Sequence, residues 1–211
     1  EGMSRLRMLG GLAGFPKREE SPYDSFGTGH SSTSISAALG MAVAAKRQGV
    51  DRRVVAVIGD GALTGGMAFE ALNNAGAMDA NLLVILNDNE MSISPTVGAV
   101  SRHLNKIITN PFYNHVRKDI ESLVRKMPRI GNRMVAAAKK IDEGLKSILV
   151  PGLLFEEQLG FRYFGPLDGH NIQNLVEIFR NISKIKGPIL LHVITKKGKG
   201  YAIAEKDPAR W

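Results

Sequence analysis

The sequence predicts an α/β fold, a mostly parallel sheet flanked by helices. Two short apolar runs, 54–58 and 82–86, each stop at a polar turn, Gly59-Asp60-Gly61 and Asn87-Asp88-Asn89. Apolar runs of that length, with no room for a helix, read as buried strands. The segment between them, 64–77, puts Met67, Ala68, Ala71, Leu72 and Ala75 on one helical face, the spacing of an amphipathic helix. Strand, helix and strand then form a crossover unit whose strands run parallel and right-handed. Both polar turns therefore fall at one carboxyl edge of the sheet.

Taken in chain order, the first element is the glycine-rich turn Gly27-Thr28-Gly29-His30-Ser31-Ser32-Thr33-Ser34, leading into a helix whose apolar face carries Ile35, Leu39, Ala42 and Val43. Exposed N–H groups and hydroxyls at such a start suit an anion such as phosphate, and the same serines and threonines equally suit N-caps. His30 is a candidate for hydrogen bonding or proton transfer. Next come Asp60 and, 29 positions later, Asn89. A carboxylate and an amide oxygen converging at one edge are hard donors suited to magnesium, which takes its remaining ligands from phosphates and water. A glycine-flanked Asp alone fits a tight turn just as well; the pairing with Asn89 is what favours a magnesium diphosphate. No GxxxxGK[ST] loop occurs, which disfavours a P-loop nucleotide site.

In the second half, 161–164 reads as a strand entering Gly165-Pro166-Leu167-Asp168-Gly169-His170, followed by a helix with Ile172, Leu175, Val176 and Phe179 on one face. The last apolar run, 189–194, leads into Thr195-Lys196-Lys197-Gly198-Lys199-Gly200-Tyr201. Glycines there let a lysine approach a phosphate, and an exposed basic loop explains the pattern equally well.

The chain has 211 residues, 44% of them hydrophobic, enough for a sizeable core in one large domain. Cysteine is absent, which excludes disulfides and zinc-thiolate sites and is compatible with a reducing compartment. No apolar run approaches a membrane span, so a soluble protein is expected. The net charge of +8 is concentrated in residues 101–150, with 11 Lys or Arg against four Asp or Glu. Such a segment could contact nucleic acid. Interleaved Leu123, Val124, Met127, Ile130, Met134 and Val135 favour solvated amphipathic helices, broken at Pro111, Pro128 and Gly131. The expectation is a helical, mobile insertion with no specific nucleic-acid partner.

GHSSTSISAALGMAVA, VIGDGALTGGMAFEALNNAG, LVILNDNEMSIS, FGPLDGH and KKGKGYAIAEKDP, in this order, closely resemble the 1-deoxy-D-xylulose-5-phosphate synthases. GDG with the Asn pair is shared across thiamine-diphosphate enzymes, transketolases and 2-oxo-acid dehydrogenases among them; LNDNEMSIS and GHSSTSIS are more specific to the synthase. The resemblance implies the amino-terminal domain of a thiamine-diphosphate-binding fold. It implies a cytoplasmic, homodimeric transferase that condenses pyruvate with D-glyceraldehyde 3-phosphate, releasing carbon dioxide, for isoprenoid, thiamine and pyridoxal biosynthesis. The cofactor would carry the hard chemistry and the protein orientation, electrostatics and proton transfer.

Carried over by motif, the resemblance makes Asp60, Asn89 and the carbonyl of Met91 the magnesium ligands. It assigns Gly29, His30, Ser31, Gly61, Ala62, Asn89, Lys197 and Tyr201 to contact with thiamine diphosphate, with His30 the candidate catalytic residue. The family's upstream histidine-containing segment, its pyrimidine-binding domain with the activating glutamate, and its carboxy-terminal domain have no counterpart in these residues, so the fragment alone is expected to be inactive. Other transketolase-like or 2-oxo-acid dehydrogenase subunits, and a non-catalytic magnesium-diphosphate binding module, are the alternative readings.

Overall fold

The computed structural model describes residues 2–91, 155 and 159–210. The basic segment 101–150, with its expected helices, lies outside them. After a short 3-10 turn at Gly2–Arg5 the described elements are α1 (Ser34–Arg47), β1 (Val54–Gly59), α2 (Asp60–Leu63), α3 (Gly66–Ala77), β2 (Leu82–Asp88), β3 (Arg162–Asp168), α4 (Ile172–Ile182), β4 (Ile189–Ile194) and α5 (Ala202–Lys206). The four strands form one sheet in the order β1-β2-β4-β3, every pair parallel.

The two crossover units run in opposite directions across this sheet. β1-α3-β2 steps one way, β3-α4-β4 steps back, and right-handed crossovers of opposite direction put their helices on opposite faces. The buried clusters follow that rule. On one face Ile35, Ala38 and Ala42 of α1 and Ala68, Ala71, Leu72 and Ala75 of α3 pack with Val54, Ala56, Leu82, Val84, Leu86 and Leu190. On the other, Ile178 and Ile182 of α4 pack with Leu167, Ile189, Leu191 and Val193. Covered on both sides, β4 is buried along its length apart from a partly buried Ile194, which is why its sequence is apolar on both faces, His192 excepted, rather than alternating.

Small residues set the helix approach. Ala38, Ala42 and Ala45 are the buried positions of α1 beside Ile35; the stripe is turned toward these alanines, and Val43 is only partly buried. In α3 the alanines carry the face, and Met67 is 49% exposed, roughly a quarter turn from the stripe centre at 3.6 residues per turn. α4 differs in the same way: Ile172 and Val176 are exposed, while Ile178 and Ile182, joined by half-buried Leu175 and Phe179, meet the sheet. Those two β-branched residues, one helical turn apart, line the surface over β3 and β4.

β3 continues past the expected strand 161–164 through Gly165-Pro166 to Asp168. Its pairing with β4 slips between Phe164 and Leu167, an irregularity that accommodates proline on an outer strand. Gly165 has φ +125°, and a Cβ there would collide with the backbone carbonyl oxygen of His192. At the opposite end of the sheet Arg53 donates to Ile185 O at 2.7 Å, to Asn81 Oδ1 at 3.3 Å and to Ser183 O, tying the start of β1 to the turn after α4.

Candidate functional site

Among the described strands the direction of crossover reverses between β2 and β4. In open α/β sheets ligands bind in the crevice at the carboxyl ends beside such a point. Registers Gly59↔Asn87, Asp88↔Ile194 and Asp168↔Ile194 align the strand ends, so Asp60, Asn87 to Met91, Asp168 and Thr195 share this edge. Two hydrogen bonds close the seam: Thr195 Oγ1 donates to Asn87 Oδ1 at 2.7 Å, and Thr195 N donates to Asp88 O at 2.8 Å.

Asp60 is the first residue of α2 and only 4% exposed. Gly59 before it adopts an extended conformation, and a Cβ at Gly59 would meet open space. Gly61 and Ala62 lie within α2. Beyond β2, alternation sets the side chains: Leu82, Val84, Leu86 and Asp88 are buried, while Asn87 and Asn89 are partly exposed. The chain then turns sharply. Asn89 Oδ1 accepts from Met91 N at 3.0 Å, Asp88 Oδ1 accepts from Glu90 N at 3.1 Å, and Glu90 takes φ +58°. Successive side-chain-to-backbone turns of this kind fix a loop without help from the ladder.

A carboxylate, a carboxamide oxygen and a backbone carbonyl on this edge form a hard oxygen set that fits magnesium, with positions left for phosphate and water. Among the described residues no three His, Cys, Asp or Glu side chains gather as a metal cluster; the set drawn from Asp60, Asn89 and Met91 contains a single carboxylate.

The glycine-rich turn before α1 reaches the same region. Ser32 Oγ donates to Ala62 O at 2.7 Å, docking Gly29, His30 and Ser31 beside α2. Thr33, the N-cap residue, makes no side-chain cap; its hydroxyl donates to His30 O at 3.1 Å. The N-cap reading of these hydroxyls is therefore replaced: they shape the turn and tie it to α2. His30 Nδ1 lies 2.7 Å from Ser31 O. A carbonyl can only accept, so Nδ1 carries the proton, and in that tautomer of the imidazole Nε2 is the acceptor.

The loop after β4 is fixed at both ends. Lys196 N donates to His170 Nε2 at 2.9 Å, Lys196 Nζ sits 2.6 Å from Glu205 Oε2, and Gly200 N donates to Glu205 Oε1 at 2.9 Å. The Lys196 hydrogen bond, then that from Gly200, lower the Glu205 carboxyl from 4.5 to about 2. Lys197 and Tyr201 sit on this loop, Tyr201 half exposed. Asp168 is engaged by the backbone of His170, accepting from its N–H at 2.9 Å.

Residue patterns did not single out one further group. His192, fully buried in β4, places Nε2 2.9 Å from Asp88 Oδ2 and Nδ1 2.6 Å from Tyr163 Oη. Its signal was a histidine inside an otherwise aliphatic strand.

Residues 1–195 match the family model described as 1-deoxy-D-xylulose-5-phosphate synthase. The chain belongs to that family. It corresponds to the amino-terminal domain of the synthases. It is 57% identical over 211 residues to the 1-deoxy-D-xylulose-5-phosphate synthase of Natranaerobius thermophilus, covering 100% of this chain and 33% of that protein. It is 59% identical over 208 residues to that of Azoarcus sp. strain BH72, covering 99% of this chain and 33% of the relative. The chain thus spans about a third of the length of the curated synthases it matches. A transketolase from Campylobacter jejuni superposes with a TM-score of 0.60 at 18% identity, over 92% of this chain and 24% of that one, a likeness of fold.

Proposed function

We propose that this chain is the diphosphate- and magnesium-binding part of a thiamine-diphosphate-dependent 1-deoxy-D-xylulose-5-phosphate synthase. The reaction is the condensation of pyruvate with D-glyceraldehyde 3-phosphate to 1-deoxy-D-xylulose 5-phosphate and carbon dioxide. The observation that supports the reading is that Asp60, the Asn89 turn and the Thr195 loop follow strands that end at one carboxyl edge, in a chain of this family.

Asp60, Asn89 and the carbonyl of Met91 would hold the magnesium ion. Gly29, His30, Ser31, Gly61, Ala62, Asn89, Lys197 and Tyr201 would hold the cofactor, with Lys197 adding positive charge beside the diphosphate. Bound thiamine diphosphate supplies a nucleophilic carbon and an electron sink for decarboxylation. His30, with Nε2 as acceptor, can take a proton at that atom and return it. The glycine turns would let backbone N–H groups approach the diphosphate, and the buried strand ends would hold Asp60 and the Asn89 turn at one edge. Homodimeric assembly, a cytoplasmic location and a role in isoprenoid and thiamine biosynthesis belong to the same reading; among the described residues no helix is long and apolar enough to cross a membrane.

The test is to supply the intact protein with pyruvate, D-glyceraldehyde 3-phosphate, thiamine diphosphate and magnesium, and to identify the product. 1-Deoxy-D-xylulose 5-phosphate is expected, lost with Asp60→Ala. A different product, or turnover untouched by removing magnesium and cofactor, overturns the reading. The 211-residue chain alone is expected to bind without turning over.

A further inference from the structure

A hydrogen-bonded row crosses three strands diagonally and ends beneath the Asn89 turn. It starts at Tyr163 on β3, passes through His192 on β4 and reaches Asp88, the last residue of β2. His192 is 0% and Asp88 2% exposed. One arrangement of protons satisfies every partner: Tyr163 Oη–H donates to Nδ1, Nε2–H donates to Asp88 Oδ2, and Glu90 N–H donates to Asp88 Oδ1. The carboxylate thus has one oxygen anchored in the sheet and the other holding the turn.

We propose that Tyr163 and His192 form a positioning network that acts through Asp88 to aim the Asn89 carboxamide and the Met91 carbonyl at a divalent cation. The inference rests on the metal assignment proposed above and adds residues that touch no ligand. Its geometry is stepwise. With Oδ2 fixed by His192, Oδ1 is directed at the Glu90 N–H; that bond holds Glu90 in the left-handed region at φ +58°; and that conformation brings Met91 N within 3.0 Å of Asn89 Oδ1. Without His192 the Asp88 carboxylate can rotate, and both prospective metal donors lose their reference.

The surroundings favour this role over simple filling. The other residues of β4 are Ile189, Leu190, Leu191, Val193 and Ile194, so an aliphatic side chain would pack at position 192 without needing partners. Gly165 closes on the backbone of His192, with a Cβ there only 3.0 Å from the His192 Cβ, and Tyr163 is backed by Phe155 at a 6.0 Å ring separation. The imidazole is therefore held between a fixed hydroxyl and a fixed carboxylate. Partners that orient metal ligands in this way typically change metal affinity 10- to 100-fold when removed.

The experiment measures Mn2+ binding to the intact protein, at saturating thiamine diphosphate, by the paramagnetic resonance signal of free Mn2+. His192→Leu keeps an apolar side chain and loses both hydrogen bonds. His192→Gln keeps an N–H donor for Asp88. Expected are a loss of Mn2+ affinity of about tenfold or more for His192→Leu, affinity within about threefold of the parent for His192→Gln, and unchanged amide exchange in β1 and β2 for both. Unchanged affinity in His192→Leu overturns the proposal, as does an equal loss in both variants, because volume rather than the donor would then matter. If His192→Leu does not fold, Tyr163→Phe decides: weakened Mn2+ binding supports the network and parental binding overturns it. Asp60→Asn separates the two readings. Parental Mn2+ affinity in that variant removes the metal assignment itself, whereas its loss alongside a silent His192→Leu removes only the network.

Discussion

Gly165→Ala tests whether the close approach of β3 to β4 maintains this part of the sheet. At φ +125° an L residue is strained, which costs about 1–3 kcal/mol. The new methyl would also press on the His192 carbonyl oxygen, and would lie 3.1 Å from its carbonyl carbon and 3.0 Å from its Cβ. These atoms belong to a strand buried on both sides and cannot yield cheaply; overpacking of that kind costs about 1–3 kcal/mol more. A combined loss of about 4 kcal/mol, at 1.4 kcal/mol per factor of ten, means that β4 amides opening through local unfolding should exchange roughly a thousandfold faster. Hydrogen exchange on the intact protein, read by mass spectrometry over 189–194, measures it. Gly59→Ala is the control: φ is −78° and a Cβ would meet nothing within 4 Å, so exchange should not change. Protection of β4 in Gly165→Ala within about threefold of the parent would refute the steric argument.

Asp60→Ala should lower magnesium-dependent retention of thiamine diphosphate by more than about 100-fold, and Asn89→Ala by about 10- to 100-fold, in calorimetric titration; near-parental affinity for both would remove the metal assignment. Leu72 is fully buried in the core cluster on its face of the sheet, so Leu72→Ala should cost about 3–5 kcal/mol and lower the melting temperature by roughly 10 °C. A shift under about 2 °C would contradict that packing. Because the Glu205 carboxyl is lowered from 4.5 to about 2, its contribution is fully present above pH 4.5, declines as the pH falls, and is gone below about 2. Protection of the Gly200 amide should follow that window in the parent and lose the window in Glu205→Gln, whose carboxamide does not titrate; protection without that window in the parent would count against the assignment.

The strands at 54–58, 82–86 and 189–194 were legible as apolar runs, although the first is buried on one face only, with Val55 and Val57 exposed, and the edge carrying Asp60 and Asn89 followed from parallel connection alone. Helix faces were legible only to within about a quarter turn. Met67, Ile172 and Val176 are as apolar as their neighbours, and only tertiary contact decides which of them the sheet covers. The apolar pattern marks the strand only over 161–164, and β3 continues through Gly165-Pro166 to Asp168 because its place at the outside of the described strands, which local sequence does not encode, permits proline inside it. The pairing of Asp88 with His192 was not legible for a related reason: the two are 104 residues apart, and they meet only once β2 and β4 are neighbours. The roles of Gly29, His30, Ser31, Lys197 and Tyr201 came from family motifs, since spacing alone left caps and exposed loops as equal readings.

The seam between β2 and β4 also bears on how the molecule is made. Asn87 and Thr195, whose hydrogen bond closes it, are 108 residues apart, so a ribosome must release the chain beyond β4 before the crevice can exist in any form. Bringing together segments separated by about 100 residues costs roughly 4 kcal/mol in chain entropy, but doubling the intervening length adds only about 0.6 kcal/mol. The number of residues between the two strands therefore weighs little in closing the seam, whereas the seam itself waits on the emergence of β4.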